Sequence, residues 1–470
     1  MNNTKIKNSL ILIAAVAALG LASCNSNKRY VSPEVDTNGL YRDVEGQSDT
    51  TNIGQIPWNE FFTDPVLQSL VREGLEKNIN MQVAQLRIKQ AEAGFLSAKA
   101  ALFPTLSAAT QLEHTQISTG QDGTKVLGYS AETSYMLGFA ASWEVDLWGK
   151  LNSQKRAKYA SLLNSYEYAN LIQTSLIANI AKSYYTLLAL DEQKRITIES
   201  IELYKSTTET MEALKEAGTQ NAAGVEQTKS LLYSAQLAIP TLERQISETE
   251  NALCILLNRK PGSVERRAID AQAVPAELEH GVPAQMVANR PDVRQAELSF
   301  RVAFEATRTA KASMYPSLTL SSATVGFVPQ DLADFFNPAN IAANIVVGAS
   351  QPLFYKRQLR SNLEIANAQQ TEALLNFQNT VLTAGQEISN ILYGFKRSMD
   401  KNQLREQQIS SLTNAVDYTQ QLLLAGEANY TEVLTAQRNL LSAQLSQVDD
   451  KLEQLTYNVS LYKALGGGVK

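Results

Sequence analysis

The stretch from Tyr135 to Leu188, YMLGFAASWEVDLWGKLNSQKRAKYASLLNSYEYANLIQTSLIANIAKSYYTLL, changes its hydrophobic period part-way along. Up to Leu147 every second residue is apolar: Tyr135, Leu137, Phe139, Ala141, Trp143, Val145 and Leu147 alternate with Met136, Gly138, Ala140, Ser142, Glu144 and Asp146. Successive side chains of a strand point to opposite faces, so this predicts a two-faced strand. Beyond Gly149 the step becomes three and four, through Tyr166, Ala169, Ile172, Leu176, Ile180, Tyr184 and Leu187. Leu151 to Ala217 holds neither proline nor glycine. It predicts one helix about 100 Å long at ~1.5 Å per residue, more than a compact domain accommodates, and hence an elongated coiled-coil-like body.

The pattern occurs twice. Of 13 prolines, none lies between Pro104 and Pro240 and none follows Pro352. The tract from Arg357 to Ala425 has Ile388, Ile391, Phe395 and Met399 at helical steps, with Gly385 and Gly394 predicted to interrupt it. Ala101-Leu102-Phe103-Pro104-Thr105-Leu106 resembles Ser313-Met314-Tyr315-Pro316-Ser317-Leu318, and Ala217-Gly218 with Val225 parallels Ala425-Gly426 with Val433. An internal two-fold repeat follows, each half ending in a helix-turn-helix.

Three further segments read as strands: Leu106 to Leu112, Pro316 to Val328, and Ile341 to Ala349. Hairpins about 104–148 and 316–353, with loops near Gly120 to Gly128 and Pro329 to Pro338, have strands long enough to cross an outer membrane at a tilt. Four strands close no membrane barrel, and hydrocarbon tolerates no open sheet edge, so the chain must associate with copies of itself. Three copies would give about twelve strands, although the pattern alone also allows a dimer or a tetramer. The fold class expected is mainly α with a transmembrane β part.

The N-terminus places Lys5 and Lys7 before an apolar run from Leu10 to Leu21, too short to span a bilayer and ending in small residues. Residues 1–23 read as a secretory signal. Leu21-Ala22-Ser23-Cys24 resembles a bacterial lipobox, which makes Cys24 the lipid attachment residue, and Asn25 after it favours export to the outer membrane. Cys254 is the other of the 2 cysteines, so acylation of Cys24 leaves no intrachain disulfide, and Cys254 is expected to be buried packing.

Net charge is −5, with both signs interspersed, which points away from nucleic acid. The 2 histidines, His114 and His280, have no ligand-spaced carboxylate, cysteine or histidine beside them. Nucleophile-elbow, phosphate-loop and dinucleotide motifs are absent, so neither an enzyme nor a cofactor is expected. A lipid-tethered structural coiled coil is the competing reading, and the alternating strands argue against it.

Trp58-Asn59-Glu60-Phe61-Phe62-Thr63-Asp64-Pro65-Val66-Leu67, Trp143-Glu144-Val145-Asp146-Leu147-Trp148-Gly149-Lys150 and Arg290-Pro291-Asp292-Val293-Arg294 resemble TolC-like outer-membrane efflux proteins of the NodT-type lipoprotein branch. The resemblance extends to Leu256 through Gly262 and to the terminal Leu461 through Gly468. As residues, these motifs read as structural: Pro291 suits a first helical turn, Asp292 its dipole, and Asn289 a cap. Trp143 and Trp148 fall at the membrane interface or at the junction of strand and helix.

The resemblance implies a homotrimer with a 12-stranded outer-membrane β-barrel and a periplasmic α-barrel, the exit duct of a tripartite efflux system. Its partners would be a periplasmic adaptor (membrane fusion) protein, an RND-type inner-membrane transporter and outer-membrane lipid; type I protein secretion and heavy-metal efflux are the alternatives. The halves run over 58–282 and 283–470, after an extended segment 24–57. The resemblance makes the tips about 217–224 and 425–431 the adaptor contacts, through Gly218, Asn221, Gly224, Gly426 and Asn429. It places a periplasmic gate at Thr431, Glu432 and Thr435, where relatives carry aspartate at one or both of the positions of Glu432 and Thr435. Ala428 stands where some carry an arginine that latches the closed state.

Overall fold

A computed structural model of the chain describes residues 30–34, 40, 53–119, 128–273, 287, 289–329 and 332–469. Cys24 and the signal lie outside the described residues, as do parts of both hairpin loops. Met1–Asp36 is one unit and Thr37–Lys470 another; all that follows concerns the second.

The unit begins with α1 (Trp58–Phe61), α2 (Pro65–Lys77) and α3 (Ile79–Ala100). The hairpin β1 (Thr105–Thr119) and β2 (Gly128–Val145) feeds α4 (Lys150–Glu216), which turns into α5 (Ala222–Leu256). The order then recurs as α6 (Pro291–Ala312), β3 (Ser317–Phe327), β4 (Ile341–Ser350), α7 (Gln358–Ala425) and α8 (Tyr430–Ala464). Counterparts match in length: α3 and α6 have 22 residues each, α4 and α7 have 67 and 68, and α5 and α8 have 35 each. The long helix read from Leu151 is α4, and the chain is mainly helical with one four-stranded sheet.

Gly385 and Gly394 do not interrupt α7, which is continuous through both. A helix tolerates glycine at a cost of about 1 kcal/mol, and here each vacant Cβ position is filled from outside. A Cβ on Gly385 would stand 2.5 Å from Leu40 Cγ, and one on Gly394 would stand 2.6 Å from the Tyr457 ring. These glycines are packing sites, invisible to periodicity because Leu40 and Tyr457 are far away in the chain.

The main core lies where α4 crosses α2, α5 and α8. Ile180, Tyr184 and Leu187 of α4 pack with Leu67, Leu253 and Leu455, all six fully buried. Asp64 organises its edge: Oδ1 accepts the Val66 N–H at 2.8 Å as the cap of α2, and Oδ2 accepts from Tyr184 OH (2.8 Å) and Gln272 Nε2 (2.6 Å). The Trp58–Leu67 motif thus anchors the chain start, with Phe61 stacked on Tyr462 at 4.1 Å. Cys254 is buried, its thiol donating to the Gly262 carbonyl.

The sheet is an antiparallel meander in the order β1-β2-β3-β4, leaving β1 and β4 as its edges. Thr105 pairs with Ser142 as Ser317 pairs with Ser350, so the hairpins share one register up to an irregularity between Leu320 and Ser322. Among the described residues no helix is long and apolar enough to cross a membrane.

Candidate functional site

Two places organise the molecule, the strand-to-helix joint that ties the sheet to the helices and the helix-hairpin tips that tie the helices to one another. At the joint Asp146 caps α4 from outside, Oδ1 accepting the Leu151 N–H and Oδ2 the Asn152 N–H, both at 2.9 Å. Lys150 pairs with Glu144 at 2.9 Å. Trp143 Nε1 donates to the Leu102 carbonyl (3.0 Å) and Trp148 Nε1 to that of Pro316 (2.7 Å), with Trp148 stacked on Tyr315. Trp143 thus ties β2 to the turn after α3, and Trp148 ties the joint to the turn after α6, so both tryptophans pack at the junction of strand and helix. The Trp143–Lys150 motif is a mechanical coupling, and no reactive group emerges from it.

The second motif is equally structural. Arg290, not Asn289, holds the cap position of α6, with Pro291 in the first turn. Asn289 Oδ1 accepts from Arg294 Nη2 (3.2 Å) instead of capping. Tertiary contacts pull Arg290 inward: its guanidinium donates to Asp292, to Glu387 Oε2 (2.6 Å) and to the Ala464 carbonyl (3.0 Å). A cap chosen from local chemistry is displaced by one residue because a buried cation needs those acceptors.

The tips are built alike. α4 ends at Glu216 with Ala217 as its cap, and Gly218 follows at φ +74°; α7 ends before Gly426 at φ +77°. A left-handed residue lets the next amides fold back on the last turn, and glycine adopts it without a Cβ clash. Thr219 and Gln220 N–H accordingly donate to the Leu214 carbonyl, and Glu427 and Ala428 N–H to that of Leu422. Asn221 then caps α5 by accepting the Gly224 N–H (3.0 Å), and Asn429 caps α8 by accepting that of Thr431 (3.3 Å).

Side chains make the tips one body. Met211, Val225, Leu423 and Val433, one from each of four helices, form a buried cluster closed by Leu214 and Tyr430. Gly218, Asn221, Gly426 and Asn429 are exposed, whereas Gly224 is buried: a Cβ there would meet Met211 Cε at 2.8 Å and Tyr430 at 3.3 Å. That geometry removes Gly224 from the accessible tip surface and makes it the contact that brings the tips together.

Thr431, Glu432 and Thr435 are all exposed on the first turns of α8. The Thr435 hydroxyl donates back to the Thr431 carbonyl at 2.7 Å. Thr435 lines a surface groove between α5 and α8 with Arg438, Asn439, Ser230 and Ser234. One turn higher lies a polar lock that pattern reading missed. The buried Gln437 donates through Nε2 to Thr207 Oγ1 (2.8 Å), and buried Tyr204 donates to the Gln437 carbonyl (3.3 Å), fastening α8 to α4. The only local signal was a run of Thr, Ser and Tyr on the inner face of α4. Among the described residues no group of His, Cys, Asp or Glu is arranged to hold a metal ion.

The chain is similar over nearly its whole length to proteins of known role. The toluene efflux pump outer membrane protein TtgC of Pseudomonas putida is 27% identical over 464 residues, covering 97% of this chain and 95% of that protein. The pyoverdine export outer membrane protein OpmQ of Pseudomonas aeruginosa is 29% identical over 467 residues, covering 98% and 97%. Among solved structures, the outer-membrane channel OprN superposes with a TM-score of 0.85 at 23% identity, covering 95% of this chain and all (100%) of that one. The open state of the MtrE channel of Neisseria gonorrhoeae gives 0.83 at 24% identity, covering 95% and 99%. The profile of the outer membrane efflux protein family matches residues 70–259 and 282–467, one segment in each half. The duplicated strand-helix-tip plan and that two-part match together establish that the chain belongs to the outer membrane efflux protein family.

Proposed function

We propose that three copies of this chain form a passive exit duct, a 12-stranded barrel in the outer membrane continued by a helical barrel into the periplasm. The observation that carries the reading is a four-stranded antiparallel sheet, open at both edges, joined rigidly to helices of 67 and 68 residues. One face of the sheet is apolar, with Leu106, Leu112, Phe139, Val325, Ile345 and Val347 exposed. That face suits lipid, and the opposite one, with Gln111, Glu113 and Asn344, suits a wet lumen. Open edges in hydrocarbon are excluded, so copies must close the ring.

The duct has no energy source of its own. An inner-membrane transporter of the RND type drives cargo into it through a periplasmic adaptor that docks on Gly218, Asn221, Gly426 and Asn429. Opening starts at the tips, with Thr431, Glu432 and Thr435 at the constriction. Cys24 adds a lipid anchor. Relatives named for toluene, pyoverdine and cations point to small molecules as cargo.

Reconstitution into planar lipid bilayers tests the reading. Discrete conductance steps from a particle of three chains are the expected outcome. Absence of conductance under every voltage, salt and divalent-cation condition overturns the duct and leaves a lipid-tethered coiled coil.

A further inference from the structure

The helical body is charged unevenly from end to end. At the foot of the sheet lie the last turns of α3 and α6, over 89–100 and 301–312, and the first turns of α4 and α7 with the elbows before them, over 146–160 and 353–368. These four segments hold twelve lysines and arginines against four carboxylates, in a chain whose net charge is −5. At the tips the sign reverses, and 206–232 with 415–440 hold three against seven. Ion pairs do not use up the excess at the foot. Lys150, Arg156 and Arg357 are matched by Glu144, Glu305 and Glu364. Lys99, Lys158, Lys311, Lys356 and Arg360 are exposed, and none of the five is ion-paired among the described residues.

The elbow before α7 carries a second mark. Both long helices are capped by a left-handed residue: Gly149 at φ +72° for α4, but Arg357 at φ +63° for α7, with Lys356 before it at φ +46°. A residue with a Cβ adopts that conformation under strain that glycine avoids, so the turn itself does not call for cations. Leu353, Phe354 and Tyr355 precede them and are exposed, Phe354 at 98%. From the sheet downward the chain thus presents an apolar face, then exposed apolar and aromatic side chains, then cations. A bilayer presents hydrocarbon, interface and headgroup in the same order.

We infer that this basic collar binds anionic phospholipid headgroups, of the phosphatidylglycerol class, in the periplasmic leaflet of the outer membrane. The inference rests on the membrane placement of the sheet proposed above and adds the class of lipid beneath it. A zwitterionic phospholipid neutralises its phosphate with its own amine, so a surplus of unpaired cations discriminates by net charge, each cation near the headgroups adding several-fold to the preference.

Lipid titration of the detergent-solubilised full-length protein, read by native mass spectrometry, tests the collar with phosphatidylglycerol and phosphatidylcholine of identical acyl chains. The parent should prefer phosphatidylglycerol by on the order of ten-fold, and replacing Lys99, Lys158, Lys311, Lys356 and Arg360 by glutamine should bring the preference to within about two-fold. Lys205→Gln with Lys215→Gln removes two exposed cations from the lower end of α4 and should leave the preference intact. Lys356→Gly separates charge from turn geometry: it relieves the left-handed strain, so it should melt no lower than the parent and still lose part of the preference. Equal binding of the two lipids by the parent overturns the collar, as does a preference that survives the five-fold substitution or falls as far in the Lys205, Lys215 variant. Conductance in pure phosphatidylcholine bilayers reads the duct separately. Pores without a lipid preference refute the collar alone, and a collar-dependent preference without pores upholds the collar and refutes the duct.

Discussion

Asp292 meets two demands at the start of α6. Its Oδ1 accepts the Val293 N–H (2.9 Å), and both carboxylate oxygens accept from Arg290, at 3.0 and 2.8 Å. Burial disfavours the charged form and is the largest single influence, but the hydrogen bonds from Arg290, its charge and the backbone N–H groups together outweigh it and hold the carboxyl below its ordinary value of 3.8. A depressed carboxylate contributes stability that is complete above that ordinary value and is lost as pH falls through the lower, folded one. Asp292→Asn should therefore destabilise the detergent-solubilised protein at pH 7 by roughly 2 kcal/mol, as for a charged hydrogen bond. In thermal melts the gap from the parent should narrow below about pH 4; a gap that is the same at pH 7 and pH 3 contradicts the electrostatic account. Glu432 poses a question of function rather than stability. Three exposed copies converging on an axis would repel one another and attract cations. Glu432→Gln is expected to lower cation selectivity and weaken divalent-cation block in single-channel recordings with assembly intact, and selectivity equal to the parent's would put the constriction elsewhere.

At the scale of elements, the helices join by filling one another's gaps. Gly385→Val asks Leu40 to leave its place on α7, an overpacking that costs about 1–3 kcal/mol. The variant should unfold at lower temperature, and Leu40→Ala should restore much of the loss in the double mutant; additive losses would mean the contact is not formed. The tips invite a different experiment, because their exposed residues serve turns whose hydrogen bonds run through the backbone. Asn221→Asp and Asn429→Asp keep a capping oxygen and add charge. Both should weaken adaptor crosslinking and efflux while trimer yield holds, and persistence of both activities would move the docking surface off the tips. The turns were legible in advance, since glycine followed three residues later by asparagine is local chemistry. Gln437, Thr207 and Tyr204 were not, because a buried polar lock is defined by which helices touch, and periodicity is silent about that.

For the molecule as a whole, anchoring and insertion are separable. Cys24→Ser should abolish acyl labelling, while the proposed trimer should still form, since a sheet with an apolar outer face would supply its own affinity for the bilayer; undiminished labelling would show that another residue carries the lipid. The amino-acid sequence by itself determined the alternation in Tyr135 to Leu147, the unbroken helical run beyond Leu151 and the recurrence of both. Those signals come from side chains that are neighbours along the chain or one turn apart, so the sequence contains them entirely. Only the tertiary structure decided that Gly385 and Gly394 are contact points, that Arg290 displaces Asn289 at a helix start, and that Gly224 lies beneath Tyr430. In each case the deciding partner is remote in sequence and its energy comes from close packing or from charge removed from water, neither of which leaves a periodic trace.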